Sequence, residues 1–280
     1  MNNLQKKIDF IALVNVTNAN PNGDPLGDNQ PRTDYDGFGM ISDVCIKRKI
    51  RNRMQDMGHR VFVQSQERCD DGFDSLSKRA EGLLKGEKNQ AAYAEKANAA
   101  WIDVRSFGQV FAFTSNKGMS VGVRGPVTIH QALSVAPIDA LAMQITKSVN
   151  GDPSEGKKSS DTMGTKHYVR HGLYVIKGSI NVQLAKLTGF SDEDAQVVKE
   201  ALRTLFRNDA SSARPEGSME VKRLYWFTHS NQDGQYPSAR VHRSVKVQVK
   251  EGVSYPKSYE DYQITFDGPE GLAVEVLEGE

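Results

Sequence analysis

The sequence predicts an α+β fold, in which strands and helices alternate along the chain around one sheet. Three observations lead to this class: an apolar strand near the N-terminus, an amphipathic helix after a polar loop, and further strands in the second half. The order strand, loop, helix is that of a ferredoxin-like unit. A chain of 280 residues with 38% hydrophobic residues fits one elaborated domain or two lobes, and we expect a single domain over residues 1–280.

The first predicted element is a strand over residues 8–16. Apolar residues occupy both faces there, which is typical of a strand in the middle of a sheet. The strand ends in the run of Asn, Pro and Gly at 18–25, which predicts tight turns, and a polar loop continues to about Met40.

The loop leads into a predicted helix from Ser42 to about Met57. Ser42 is a suitable N-cap and Gly58 a suitable end signal. The apolar stripe of this helix consists of Ile46, Ile50, Met54 and Met57.

The middle of the chain mixes helical and extended patterns. Residues 70–100 are rich in Ala, Lys and Glu and predict peripheral helices. Extended segments are predicted at 101–113 and 119–129, and a short helix at 137–147. Turn-forming and charged residues at 148–166 predict a long loop.

The last part of the chain has clearer signals. A strand is predicted at 174–184, and a helix begins with the capping box at Ser191. Two more strands are predicted at 224–228 and 244–250.

The strongest local signal for function is the positive charge of the first helix. Residues 45–60 contain six Lys or Arg residues and one acid, Asp56, so their net charge is +5, whereas the whole chain carries +1. Lys47 and Arg51 lie four residues apart on one flank. Such a row of cations suits a row of phosphates, and it is equally compatible with a solvated helix face. The overall balance excludes a histone-like polycation and an acidic disordered chain.

The residues alone assign no catalytic, metal or cofactor site. The turn at 18–24 lacks the Gly-Lys-Ser/Thr of a Walker A loop and the Gly-x-Gly-x-x-Gly of a dinucleotide site, and no Gly-x-Ser-x-Gly elbow is present. The loop aspartates match no calcium-binding spacing, and the histidines are scattered. We therefore predict neither a metal nor a cofactor.

The composition also predicts the compartment. Cys45 and Cys69 are too few for a disulfide scaffold, no apolar run reaches membrane length, and no cleavage site follows the N-terminal residues. We expect a cytoplasmic protein without a membrane partner.

Several segments together resemble the backbone subunit of type I CRISPR Cascade complexes, within the RAMP superfamily, and most closely its type I-C branch. The resemblance covers most of residues 8–230. It is carried by six blocks: Asn20-Pro-Asn-Gly-Asp, Ile41-Ser-Asp-Val-Cys-Ile-Lys-Arg-Lys-Ile-Arg, Asp103-Val-Arg-Ser-Phe-Gly-Gln-Val-Phe-Ala, Gly164-Thr-Lys-His-Tyr-Val, Leu184-Ala-Lys-Leu-Thr-Gly-Phe-Ser and Asn208-Asp-Ala-Ser-Ser-Ala-Arg.

The resemblance implies an RRM-like (ferredoxin-like) palm, a fingers insertion at 65–100 and a long thumb hairpin at 148–166. It implies a non-catalytic subunit that coats CRISPR guide RNA as a helical homo-oligomer, beside other Cascade subunits, and presents the guide for pairing with target DNA in antiviral defence. The residues it places on the RNA are Asn22, Gly23, Ser42, Lys47, Arg48, Arg51, Phe107, Gly108, Met163 and Lys166. Among them, Met163 would be the apolar wedge of the thumb.

Two enzymatic alternatives stay open. Relatives in type III complexes cut target RNA with a loop aspartate, for which Asp34 or Asp36 would serve in this chain. A guide-processing nuclease would instead use His167 or His171 as its general base.

Overall fold

A computed structural model describes residues 3–113, 120–146 and 163–280. Its helices are α1 (Asp43–Asp56), α2 (Leu76–Leu84), α3 (Gln90–Ala100), α4 (Ile102–Phe107), α5 (Val182–Thr188), α6 (Asp192–Arg203) and α7 (Ser238–His242). Its strands are β1 (Ile8–Ala19), β2 (Gly23–Asp24), β3 (Gln30–Pro31), β4 (Phe38–Ile41), β5 (Gly108–Phe111), β6 (Val121–Arg124), β7 (Val127–Ile129), β8 (Ala132–Pro137), β9 (Ala140–Thr146), β10 (Met163–Ile180), β11 (Met219–Thr228), β12 (Val245–Val249), β13 (Tyr262–Phe266) and β14 (Ala273–Glu278). Short 3₁₀ turns lie at Gln66–Arg68 and Tyr259–Asp261.

One antiparallel sheet organises the molecule. Its strands follow the order β14–β11–β1–β10–β8–β4, and β10 also pairs with β7 and β9. Separate two-stranded pairs are β2–β3, β5–β6 and β12–β13. Helices packed on a large antiparallel sheet confirm the predicted α+β class.

Strand β1 lies in the middle of this sheet. It pairs with β10 on one side and with β11 on the other, so that Ile8 lies opposite both Ile180 and Thr228. All residues from Ile8 to Val14 are buried. The prediction of a central strand is therefore confirmed, and the cause is that each face of the sheet is covered by its own layer.

Helices α1, α5 and α6 cover one face. Ile46, Ile50 and Met54 of α1 pack in the same core as Phe10 of β1 and Trp226 of β11. The predicted apolar stripe of α1 is thus its buried side, and the helix is held firmly against the sheet.

Helix α7 and the β12–β13 pair cover the opposite face. Ile11 and Leu13 of β1 join Val241, Val245 and Tyr262 in a separate core on that side. The centre of the sheet is closed on both faces, so it serves as a scaffold and leaves its ends and edges for contacts.

Residues 60–113 and strand β6 build a third, smaller core. Its aromatic rings are those of Phe62, Tyr93, Trp101 and Phe111, and their contacts have centroid distances of 4.8 to 5.4 Å. The helices predicted within 70–100 are confirmed as α2 and α3.

The segment at 101–113 differs from its prediction. Residues 102–107, expected to be extended, form α4, and only the residues of β5 are extended. The helix ends at Gly108, whose φ of +80° is a conformation that favours glycine. The turn predicted between the two extended segments lies outside the described residues, although β5 and β6 do pair.

The helix predicted at 137–147 is wrong, because this segment contains β9. The strand pairs with the first part of β10, from Ala140 opposite Val169 to Thr146 opposite Met163. Leu141, Met143 and Ile145 alternate with other residues at a period of two, but helix-forming residue types hide that signal.

The loop predicted at 148–166 lies mostly outside the described residues. Its last part, Met163–Lys166, is the start of β10 and is therefore strand. At its other end β10 stops at Ile180, earlier than predicted, because the Asn181 side chain accepts the Leu184 N–H and caps α5.

Candidate nucleic-acid interface

The end of β1 and the start of α1 are tied together by two of the predicted residues. The Asn22 side-chain oxygen accepts the backbone N–H of Ser42 at 2.9 Å, and the Ser42 hydroxyl accepts the N–H of Cys45 at 3.2 Å. Ser42 is thus the N-cap of α1, as predicted. The Asn-rich turn is fixed directly at the positive end of the helix dipole.

The turn itself is closely packed. Asn20 is 3% exposed and donates from its side-chain amide to the Asn29 carbonyl. A Cβ at Gly23 would overlap the side chain of Asn29, so the turn backbone and this side chain lie in close contact. This packing holds the backbone of the turn in one position beside α1.

Lys166 of β10 lies beside the first residue of the Asn-rich turn, Asn18. A cavity of about 390 Å³ is lined by Asn18, Met143, Lys166, Tyr168 and Pro215. The loop between α6 and β11 contacts the Asn-rich turn as well, since the Asn20 N–H donates to the Ala213 carbonyl at 2.8 Å.

We call this surface the cradle, and it comprises residues 18–24, Ser42, Lys47, Lys166 and Arg214. Asn18 and Arg214 of the cradle, and Tyr168 of the adjoining cavity, are not among the residues that the sequence predicts for the site. The signal for Asn18 was its place in the Asn-rich turn, where its φ is +53°. The signal for Arg214 was its place in the block Asn208–Arg214.

The cations of α1 are largely neutralised by acids. Lys47 pairs with Asp43 at 2.9 Å on the surface, and its side chain is 23% exposed. Lys49 is buried and pairs with Asp209, which also pairs with Arg214. Burial lowers the pKa of Lys49, and the charge of Asp209 opposes that shift.

Arginine 51 is part of a buried network. It pairs with Asp103 at 2.9 Å and lies over the Phe107 ring at 5.0 Å. The Asp103 carboxylate also accepts the backbone N–H groups of Phe62 and Val63 at 2.7 and 3.1 Å. This carboxylate therefore joins α1 to the small third core.

The other predicted residues near α4 have structural contacts as well. Arg48 donates to the Val63 carbonyl at 2.6 Å. A Cβ at Gly108 would clash with the backbone carbonyl of Val123, in addition to the positive φ. Phe107 and Gly108 hold the β5–β6 pair against α1, at a distance along the helix from the cradle.

Met163 lies apart from Lys166 on β10. It pairs with Thr146 at the outer end of the β9–β10 ladder and is 57% exposed. The structure therefore brings Lys166 to the cradle, whereas Met163 lies about three residues further out along the strand.

The residues of the enzymatic alternatives have other partners. The Asp34 carboxylate accepts the N–H groups of Asp36 and Phe38 at 3.0 and 2.8 Å, so it stabilises its own turn. His167 and His171 both lie in β10, beside Asp28 at 3.6 Å and Thr17 at 3.5 Å. Burial lowers the pKa of His171.

The described part of the chain contains no group of three or more His, Cys, Asp or Glu side chains arranged to hold a metal ion. None of its helices is long and apolar enough to span a membrane.

Burial raises the pKa of the Cys45 thiol, so this thiol is protonated at neutral pH.

Known proteins resemble the chain in sequence and in fold. The model of a family described as CRISPR-associated protein Cas7 matches residues 6–267. A Haloferax volcanii protein described as CRISPR-associated protein Cas7 is 24% identical over 234 residues, which cover 78% of this chain and 68% of that protein.

Two solved structures share the fold. A chain of a "CRISPR RNA-guided surveillance complex, pre-nicking" superposes with a TM-score of 0.52 at 17% identity, over 89% of this chain and 84% of that one. A chain of a "CRISPR RNA-guided surveillance complex" gives a TM-score of 0.51 at 18% identity, over 89% and 78% of the two chains.

Proposed function

The chain belongs to the CRISPR-associated Cas7 family, and from this premise we propose that it is a backbone subunit of a Cascade-type surveillance complex. It binds CRISPR guide RNA in the cradle and presents the guide for pairing with target DNA. The observation that carries this proposal is the junction of Asn22 with the Ser42 N-cap, which fixes a polar turn at the start of α1.

The cradle has the chemistry of a phosphate-binding surface. The start of a helix attracts anions through its N–H groups and its dipole. Lys47, Lys166 and Arg214 are partly exposed cations of the cradle. Exposed ion pairs contribute only about 0 to 1 kcal/mol, so Lys47 can exchange Asp43 for a phosphate at little cost.

The remaining predicted RNA contacts take different parts in this proposal. Arg48, whose guanidinium donates to the Val63 carbonyl, supplies a further cation next to Lys47, while Arg51 keeps its buried partner Asp103 and positions α1 against the third core. Phe107 and Gly108 lie further along α1, where they would contact a more distant part of the guide. Met163 stays the predicted wedge, at the outer end of the β9–β10 ladder.

We propose further details from the resemblance. The main sheet with α1 and α6 is an RRM-like palm, residues 65–100 belong to the fingers, and 148–166 to the thumb. The subunit acts in the cytoplasm, in a type I-C complex, where several copies stack helically along one guide beside other Cascade subunits.

We also propose that the subunit is not an enzyme. Asp34 stabilises its own turn through two backbone hydrogen bonds, which supports a structural role for this loop. Assembled complex incubated with complementary RNA and Mg²⁺ should leave the RNA intact. Regularly spaced cuts that disappear in Asp34→Ala or Asp36→Ala would overturn this part of the proposal.

Guide binding is tested by charge reversal in the cradle. Lys47→Glu with Lys166→Glu should reduce the RNA that co-purifies with the chain by about tenfold or more, because two phosphate contacts become repulsive. The measurement is the ratio of absorbance at about 260 nm, where RNA absorbs, to that at about 280 nm across size-exclusion fractions.

The matched control is Lys78→Glu with Lys85→Glu on and after α2. Lys78 pairs with Asp74 four residues before it, just as Lys47 pairs with Asp43. This variant should retain its RNA. If the cradle variant retained as much RNA as the control, the site assignment would be wrong.

A further inference from the structure

A second groove lies on the face of the sheet opposite α1. We call it the β12 groove; its volume is about 1010 Å³, and it lies between β12 and strands β7, β8 and β10. Its floor is apolar and consists of Val135, Val175, Val245 and Val247, which pack in the core on that side. The groove is open to solvent and is separated from the cradle by the sheet.

The walls of the β12 groove are basic. The basic side chains that line it are His130, Lys177, His242, Arg243 and Lys246, and no Asp or Glu is among the lining residues. They come from both sides, since His130 and Lys177 belong to the sheet wall and the others to the α7–β12 wall.

Three cations of the groove have no ion-pair partner among the residues that the structure describes. Within the described part of the chain, Lys177, Arg243 and Lys246 form no ion pair and no side-chain hydrogen bond. Other cations of the chain commonly do, as in the pairs Lys78–Asp74 and Lys96–Glu87. Unpaired cations on two walls of one groove focus a positive potential inside it.

The shape of the groove favours a chain of phosphates over a single anion. Lys246 and Gln248 point outward from alternate positions of β12, about 7 Å apart along the strand. Cations on both walls can follow a backbone, while the valine floor can contact sugars and bases without reading a sequence. The lining contains no Phe, Tyr or Trp, so the contacts of the groove with a strand are mainly those of its cations with phosphates.

We propose that the β12 groove binds the sugar–phosphate backbone of a single DNA strand that is not paired with the guide. The inference rests on the proposed function for the source of this strand, since a guide that pairs with one strand of a duplex releases the other one. The groove then holds that released strand on the side of the sheet away from the guide.

The test uses the full chain as purified with its RNA. Its affinity for a fluorescein-labelled oligothymidylate is measured by anisotropy at several salt concentrations, for the wild type and for Arg243→Gln with Lys246→Gln. Both side chains are exposed, so the variant should fold as the wild type does. The control is Lys85→Gln with Lys88→Gln, which removes the same charge from an exposed loop outside the groove.

The groove variant should bind the oligonucleotide about tenfold more weakly. The slope of log K against log salt should fall by about 1.4, because each phosphate contact to a single strand contributes about 0.7. The control variant should bind as the wild type does. Both variants should keep the elution volume and the RNA content of the wild-type particle.

Other outcomes would overturn the inference. Unchanged affinity, or equal weakening in the control, would show that the groove is not the binding site. Competition by polyglutamate as strong as that by oligothymidylate would assign it to an acidic protein. Loss of RNA or disassembly of the particle would assign it to the guide or to a neighbouring copy. If the wild-type chain purified without RNA, that result would contradict the proposed function, even if its groove still bound oligothymidylate.

Discussion

Helix α1 and the β12 groove carry positive charge in opposite ways. The cations of α1 are consecutive in sequence, yet Lys47, Lys49 and Arg51 each pair with an acid in the fold. The cations of the groove, Lys177, Arg243 and Lys246, come from strand β10, the end of α7 and strand β12, and line a cavity without an acid. A dense run of Lys and Arg in a sequence therefore need not be a free positive surface, and a free positive surface need not show as a run.

The difference has a physical origin. A cation held against a packed helix stem is partly desolvated, and it needs a partner because an uncompensated buried charge is costly. A cation at the rim of a groove keeps its water and needs none. The comparison predicts that the buried charges of α1, Lys49 and Arg51, stabilise the fold, whereas those of the groove are available for a ligand.

The largest effect is expected for Asp103→Ala. This change leaves the buried Arg51 without its partner and removes the acceptor of two backbone N–H groups, so it should lower the free energy of unfolding by about 3 to 5 kcal/mol. Urea denaturation followed by circular dichroism measures the loss.

The control for this prediction is Asp43→Ala. Its pair with Lys47 is partly exposed and should contribute no more than about 1 kcal/mol. If both variants lost the same amount, the distinction between buried and surface pairs on α1 would not hold.

A smaller effect on the free energy of unfolding is expected from the buried His242, which lines the β12 groove. Burial lowers its pKa from the ordinary 6.5, so the unfolded chain takes up a proton at a higher pH than the folded chain does. The free energy of unfolding should therefore fall as the pH drops from the ordinary pKa of histidine toward the lower pKa of His242 in the folded chain. The Asp9 carboxylate, 3.9 Å away, has a lowered pKa and matters only in a more acidic window.

His242→Gln removes this proton-linked term. Urea denaturation at about pH 7.5 and about pH 5.5, on either side of the ordinary histidine pKa, should show a smaller loss on acidification for the variant than for the wild type. An equal loss in both proteins would show that other histidines, such as the buried His171, account for the dependence.

The smallest effect on stability is expected for the groove variant Arg243→Gln with Lys246→Gln. Substitutions of exposed side chains without partners usually change stability by about 0.5 kcal/mol or less. Urea denaturation should give a curve that overlaps the wild type. A loss above about 1 kcal/mol would show that these cations stabilise the fold and would remove the contrast with α1.

The elements that the sequence predicted well are those with local signals. The apolar run of β1, the Ser42 cap of α1 and the capping box formed by Ser191 and Asp194 depend on neighbours within a few residues. Strand β9 was missed because its residue types favour helix, and its pairing with β10 is a longer-range contact.

The same limit explains what was predicted of the site. Asn22 and Ser42 come from blocks close in sequence, and the fold does bring them together. The partners of the helix cations could not be read from a window around α1, because Asp103 and Asp209 lie far along the chain. The β12 groove has no local signal, since its basic residues are spread from His130 to Lys246.

Strand β10 gives the molecule a mechanical property. It is 18 residues long, which corresponds to roughly 60 Å of extended chain, and it continues without a break from the β9 ladder into the ladder with β1. Tension applied at its outer end would run along the strand axis into the middle of the sheet. Such a load shears many hydrogen bonds at once instead of opening them one by one, so the β9–β10 pair resists extension along this axis and is anchored in the centre of the fold.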